Sequence, residues 1–151
     1  MNIRRVHPAG VAGFELAPDF QPPDRLRDMV ERAMLQAAQG TAWIVGDHRG
    51  PLFLGGIAVT KPGVGELWTM PGCQLPHASL AAIRFFRDLS RDFLKQVVQA
   101  MNLRRLHAFV RADSPRDIRF AEWAGFVFEG SLLRLGPEGE TLNVMRWEMQ
   151  K

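Results

Sequence analysis

Few residues in this 151-residue chain could do covalent or acid–base chemistry, and their spacing narrows what each could do. Cys73 is the single cysteine, which excludes a disulfide framework and zinc held by paired thiolates. His7, His48, His77 and His107 fall on different predicted elements and lack the short intervals of metal ligands, so no metal centre is expected. Asp113-Ser114-Pro115 sets a serine beside a carboxylate. It reads either as a nucleophile or as a helix cap, and proline right after the serine suits the first helical position. His107 alternates with Leu106 and Ala108 and reads as a sheet-face residue. Trp43, Trp68, Trp123 and Trp147 read as core or rim aromatics rather than a stacking platform. The chain has no tyrosine, so no phenol is available as an acid.

The elements that must position these residues follow from apolar spacing. Residues 2–6 form a strand candidate, and 7–22 read as a loop anchored by Phe14, Leu16 and Phe20. Leu26, Met29, Val30, Ala33, Met34 and Ala37 recur on one face of a helix, with Pro22-Pro23 before it and Gly40 after it. Arg27 with Glu31 and Asp28 with Arg32 are i, i+4 pairs on its wet face. Strands are predicted over 41–46, 52–60 and 66–70, joined by turns at 47–50 and 61–65. Gly55-Gly56 inside the second of these predicts a bulge or a close backbone approach.

A long helix is predicted over 79–101. Ala82, Phe86, Leu89, Phe93, Val97 and Ala100 form its buried stripe, with Ile83 and Met101 beside it, and Arg84, Asp88, Arg91 and Lys95 lie opposite. A strand over 103–111, a short helix from Pro115 stopped by Gly125, and two strands over 126–135 and 141–149 complete the order. The expected class is α+β or α/β: helices covering a mixed sheet in one domain spanning residues 1–151.

Composition bounds the function. Hydrophobic residues at 46% suffice for a packed core, and charged residues at 23% argue against wholesale disorder. A formal charge of +3 is too small an excess to suggest a nucleic-acid partner. No apolar run follows the first residues and none is long enough to span a bilayer, so neither secretion nor a membrane span is expected.

From about Leu26 onward the chain resembles the GNAT superfamily, the Gcn5-related N-acetyltransferases. The motifs carrying the resemblance are Ser114, Phe120-Ala121, Gly125-Phe126, Glu129-Gly130 and the hairpin ending Met145-Arg-Trp-Glu148. The resemblance implies acetyl-CoA lying between the fourth and fifth strands. Its thioester would meet the backbone at Met70, Pro71 and Gly72, and its pyrophosphate would meet a loop opening the long helix. That loop is His77-Ala-Ser-Leu-Ala-Ala82 here; Leu80 stands where the family has glycine, and Ala81 and Ala82 close the pattern. Ser79 is expected to cap the helix instead, a small anion there being the alternative. The resemblance makes Glu66 the candidate general base, against a solvent-facing residue after a turn. Ala121 occupies the position of the family's usual catalytic tyrosine.

A narrower similarity is to small GNAT-like proteins of tailed bacteriophages, among them an internal virion protein of short-tailed coliphages. It rests on Pro51-Leu-Phe-Leu-Gly-Gly56, Glu66-Leu-Trp68, Phe85-Phe-Arg-Asp-Leu89 and Ile118-Arg-Phe120. It implies a phage or prophage origin, in the host cytoplasm or the virion, and a role in the virion or its assembly; with Leu80 in the phosphate loop and Ala121 at the acid position, the first expectation is a structural or interaction module with protein partners and no acetyl-CoA chemistry. The alternative expectation is an acetyl-CoA-dependent N-acetyltransferase of an unknown amine. A third is an acidic partner bound through Arg84, Arg87, Arg91 and Lys95.

Overall fold

A computed structural model describes residues 2–20 and 25–148. The element order is β1 (Asn2–Arg5), α1 (Pro8–Ala12), α2 (Leu26–Gln39), β2 (Ala42–Asp47), β3 (Gly50–Lys61), β4 (Val64–Pro71), α3 (Leu80–Ala100), β5 (Arg105–Arg111), α4 (Pro115–Ala124), β6 (Phe126–Leu132) and β7 (Leu142–Trp147). The strands are ordered β1-β2-β3-β4-β5-β7-β6. β4 and β5 pair in parallel, whereas β1–β2, β2–β3, β5–β7 and β6–β7 are antiparallel, so the sheet is mixed as expected. Among the described residues no helix is long and apolar enough to cross a membrane.

The chain divides into two compact units, and β4 and α3 each contribute to both. The first holds the residues up to Ala58 together with Trp68–Ile83. Its core is Val6, Val11, Met29, Ala33, Ala37, Ala42, Ile44, Leu54, Trp68 and Met70, with Phe14, Leu16 and Phe20 packed against it. α2 ends where expected: Gly40 adopts φ 76°, a left-handed conformation that only glycine takes without strain, and donates to the Ala37 carbonyl. Pro22 and Pro23, expected to precede α2, lie outside the described residues.

Two expectations need correction in this unit, and a third, the bulge or close approach at Gly55-Gly56, resolves to its second alternative. Residues 7–22 are not all loop, because His7 caps α1 by accepting from the Ala9 N–H at 3.3 Å, with Pro8 at the first helical position. Leu26 and Met34 of the α2 stripe are exposed, while Gln36 is buried. Gln36 tolerates burial because its Oε1 accepts from the Trp68 indole N–H at 2.5 Å. The ladder irregularity lies at Val45/Gly46. Gly56 instead marks a close approach: a Cβ there would come within 2.7 Å of Gln36 Oε1 and 2.8 Å of the Trp68 ring.

The second unit holds Val59–Leu67 and the residues from Arg84 on. Phe86, Leu94, Val97 and Val98 are the buried face of α3; Ala100 is exposed and Leu89 and Phe93 are half-buried, so the stripe is rotated from the expected one. Phe86 stacks on Phe120 and Trp123 of α4 at ring separations of 6.4 and 6.5 Å. Gly125 closes α4 at φ 102°. A bulge at Phe128/Gly130 makes Glu129 the extra residue of β6. The final strand ends at Trp147, and the Met149 expected within it lies outside the described residues.

Candidate functional site

In the first unit, the thioester candidates occupy the end of β4. Met70 is buried in the core. Pro71 has no N–H, and its carbonyl accepts from the Ala17 N–H at 2.9 Å. The Gly72 N–H donates to the Leu52 carbonyl at 2.7 Å, and Gly72 bridges to Leu16. The next amide, of Cys73, donates to the Glu15 carbonyl at 2.9 Å. Residues 15–17 on one side and Leu52 on the other therefore take up the Pro71 carbonyl and the Gly72 and Cys73 amides. A side chain at position 72 would meet the Pro51 carbonyl oxygen at 2.6 Å, so glycine is required by this three-segment approach.

The loop into α3 is committed in the same way. The amides of Leu75, His77 and Ala78 donate to the carbonyls of Gly72, Gln74 and Leu75 at 3.0, 3.1 and 3.1 Å, forming a short 3₁₀ turn over Leu75–His77. Ser79 caps α3 as expected: its Oγ accepts from the Ala82 N–H at 3.2 Å and its carbonyl from the Ile83 N–H at 3.0 Å. Anion binding at a helix start depends on unsatisfied backbone N–H groups converging on the ligand. Here His77, Ala78 and Ala82 already donate within the chain, half of the amides in 77–82. Leu80 is 64% exposed and Ala81 is exposed, so the Leu80 side chain stands at the solvent edge of the first turn. Cys73, in the same loop, donates to Glu15 Oε2 at 3.4 Å. Loss of solvation, then this carboxylate, pushes its thiol up, which keeps it protonated and poorly nucleophilic.

Glu66 belongs to the second unit. The parallel ladder pairs Val64↔Arg105, Gly65↔Leu106 and Glu66↔His107, while β5 continues to Arg111 against β7. Register thus sets Glu66 beside His107 on one sheet face. The sequence reads His107 as a sheet-face residue but does not connect it with Glu66; strand pairing carries that information. His107 Nδ1 is buried and has no hydrogen-bond partner among the described residues. Burial and then the Arg105 charge push the imidazole down, against the smaller upward pulls of Glu66 and Glu129, so it is held neutral. Arg105 clamps Glu129 with both guanidinium nitrogens, one contact being 2.9 Å, and this pairing draws the Glu129 carboxyl down. A neutral imidazole beside a carboxylate is suited to accepting a proton.

Ala121, at the tyrosine position, is 8% exposed on the inner face of α4, so its methyl is part of the packing. Ser114 sits at the helix cap position, but its hydroxyl donates to Asp117 Oδ2 at 2.6 Å rather than accepting from a backbone amide. Asp113 is clamped by Arg111 at 3.0 and 2.8 Å, an interaction that draws its carboxyl down, so it is engaged away from Ser114. The solvated basic face expected on α3 is also depleted. Arg91 donates to the carbonyls of Trp123 at 2.9 Å and Ala124 at 3.4 Å, closing the C-terminus of α4. Arg87 pairs with Asp88 and lies 5.6 Å from the centroid of the Trp123 ring. Among the described residues no three histidine, cysteine or acidic side chains gather as a metal site.

No known family profile and no curated protein sequence matches the chain. Solved structures do. Ard1 from Thermoplasma volcanium matches with a TM-score of 0.70 at 11% identity, over 98% of each chain. A ribosomal-protein-alanine N-acetyltransferase from Brucella melitensis matches at 0.67 and 12% identity, over 99% of this chain and 100% of that one. A protein described as a GNAT-family acetyltransferase, from Desulfovibrio desulfuricans, matches at 0.65 and 20% identity, over 97% and 98%. Identities this low speak to architecture and leave chemistry to the residues.

Proposed function

Proceeding from the GNAT acetyltransferase fold, which this chain has, we propose that it is a phage- or prophage-type protein that uses the fold as a virion-associated structural or interaction module rather than for acetyl-CoA chemistry. The observation that carries this reading is the state of the backbone at the candidate cofactor site. The Gly72, Cys73, His77, Ala78 and Ala82 amides all donate within the chain. Binding a thioester through the first two, or a pyrophosphate through the other three, would require breaking bonds that hold the loop and cap α3, which offsets the gain. The buried Ala121 and the lack of any tyrosine support the same reading from the side of catalysis. The four short motifs shared with phage GNAT-like proteins support the virion assignment.

Thermal unfolding with CoA tests the cofactor claim. A ligand at 100 times its Kd stabilises a protein by about 2.7 kcal/mol, which raises the Tm of a chain this size by roughly 5–10 °C. No shift is expected with millimolar acetyl-CoA or CoA; a rise of several degrees overturns the claim. Immunoblots of purified particles from a producing strain test the virion role. The chain is expected in the particles, and its confinement to the soluble lysate overturns that role.

A second reading, N-acetyl transfer to an amine, is favoured by the Glu66–His107 juxtaposition. In that reading the neutral imidazole or Glu66 takes the amine proton and acetyl-CoA is the cofactor. A thiol-release screen over amines and lysine peptides addresses it. Release above background that falls in Glu66→Gln and His107→Gln would establish this reading in place of the first.

A further inference from the structure

With Arg87 and Arg91 of α3 engaged by Asp88 and the α4 terminus, α3 keeps only Arg84 and Lys95 of its four basic candidates, and a denser basic group lies elsewhere. In the second unit, Arg104, Arg105, Arg146 and Trp147 line an open depression of about 370 Å³. It is built from the start of β5 and the end of β7, neighbours in the sheet whose ladder runs from His107↔Arg146 to Arg111↔Leu142. Because side chains alternate along a strand, Arg105 and Arg146 share one face and Trp147 belongs to the other, while Arg104 immediately precedes β5, so the four gather at the sheet end.

The three guanidiniums are held differently. Arg105 is fixed by its two-nitrogen clamp on Glu129. Arg146 reaches Glu129 only at 3.9 Å and Glu148 at 3.6 Å, loose and half-exposed pairs that contribute little in water. Arg104 has no carboxylate partner among the described residues, and its backbone N–H is anchored on the Gly63 carbonyl at 2.8 Å. The site therefore combines one rigid fork, one exchangeable fork and one unpaired fork around an indole. Guanidinium forks match carboxylates in two-point geometry.

We propose that this depression docks an acidic segment of a partner protein, its carboxylates bridging Arg104 and Arg146. The proposal rests on the module reading above and names its partner's chemistry. The site is open and carries three guanidinium groups, unlike the concave apolar pockets that enclose small molecules. Nucleic acid is disfavoured because Glu129 and Glu148 interrupt the positive cluster.

The experiment is fluorescence anisotropy of a labelled hexaglutamate peptide with the full chain, with a hexalysine peptide and a single-stranded DNA 12-mer as parallel probes. Hexaglutamate should bind and hexalysine should not. Raising salt from low to about 0.5 M should weaken binding, because exposed pairs are screened. The double variant Arg104→Glu/Arg146→Glu, with an unchanged circular dichroism spectrum, should lose about tenfold or more in affinity. The α3 variant Arg84→Glu/Lys95→Glu should stay within about twofold. Equal loss from the two double variants, no loss from the first, or no hexaglutamate binding overturns the proposal. DNA binding tighter than hexaglutamate and lost in the first variant replaces it with a nucleic-acid site. Titration with CoA stands apart from all of these arms, so a failed docking site and a failed module reading are told apart.

Discussion

Gly56→Ala is the sharpest single perturbation of the scaffold that carries the candidate cofactor site. A Cβ at position 56 would fall 2.7 Å from Gln36 Oε1 and 2.8 Å from Trp68 Cε2, with Trp68 Cζ2 nearer still. None of these neighbours has room to yield. Trp68 is buried and donates to Gln36, and Gly56 itself is held in register opposite Ala42. Overpacking a filled core costs about 1–3 kcal/mol, and displacing Gln36 strands a buried indole donor for about 1–3 kcal/mol more. Relief of the glycine's backbone entropy returns roughly 0.5–1 kcal/mol. The net expectation is a loss of about 2–4 kcal/mol, from a total of about 5–15 kcal/mol for a typical domain. Urea unfolding followed by tryptophan fluorescence measures it, and the same change at Gly130 is the control. Nothing lies within 4 Å of a Cβ built there, so Gly130→Ala is expected to be neutral or slightly stabilising. A Gly56→Ala loss under about 1 kcal/mol, or one equal to that of Gly130→Ala, would refute the reasoning.

Three further predictions follow from contacts. Arg91→Ala should cost about 1–2 kcal/mol, because Arg91 caps the α4 carbonyls, whereas Arg84→Ala should stay within about 0.5 kcal/mol in the same unfolding assay. Ala121→Tyr forces a ring into a buried site; it should destabilise by about 1–3 kcal/mol or more and confer no thiol release, and acquired turnover would count against the module reading. His107 should titrate below 6.5 in an NMR pH series, since burial and Arg105 depress it. The unfolded chain then binds this proton more readily, so its contribution to stability is present above pH 6.5 and is lost as pH falls below it. Arg105→Gln should raise the His107 value, and a value at or above 6.5 in the parent chain contradicts the described burial.

Legibility in the sequence tracked how local each determinant is. α2, α3 and α4 declared themselves through apolar spacing and through Gly40 and Gly125, because periodicity and left-handed stops act within a few residues. α1 was hidden, since five residues containing Pro8 and Gly10 are too few for a period. Gln36 does not show as a core residue in the sequence because its partner Trp68 is 32 positions away. Arg91 read as solvated for the same reason, its acceptors lying 32 and 33 residues on. At the candidate site, Ser79, Leu80 and Ala121 were legible as departures from a resemblance. The commitment of the Pro71–Cys73 backbone to residues 15–17 and Leu52 was not, because main-chain pairing leaves no mark in side-chain type.

Isothermal titration of acetyl-CoA and CoA into the chain tests the central claim most directly. With the Gly72, Cys73, His77, Ala78 and Ala82 amides donating within the fold, only heats of dilution are predicted up to millimolar ligand. A saturable one-to-one isotherm with a micromolar Kd would contradict the account.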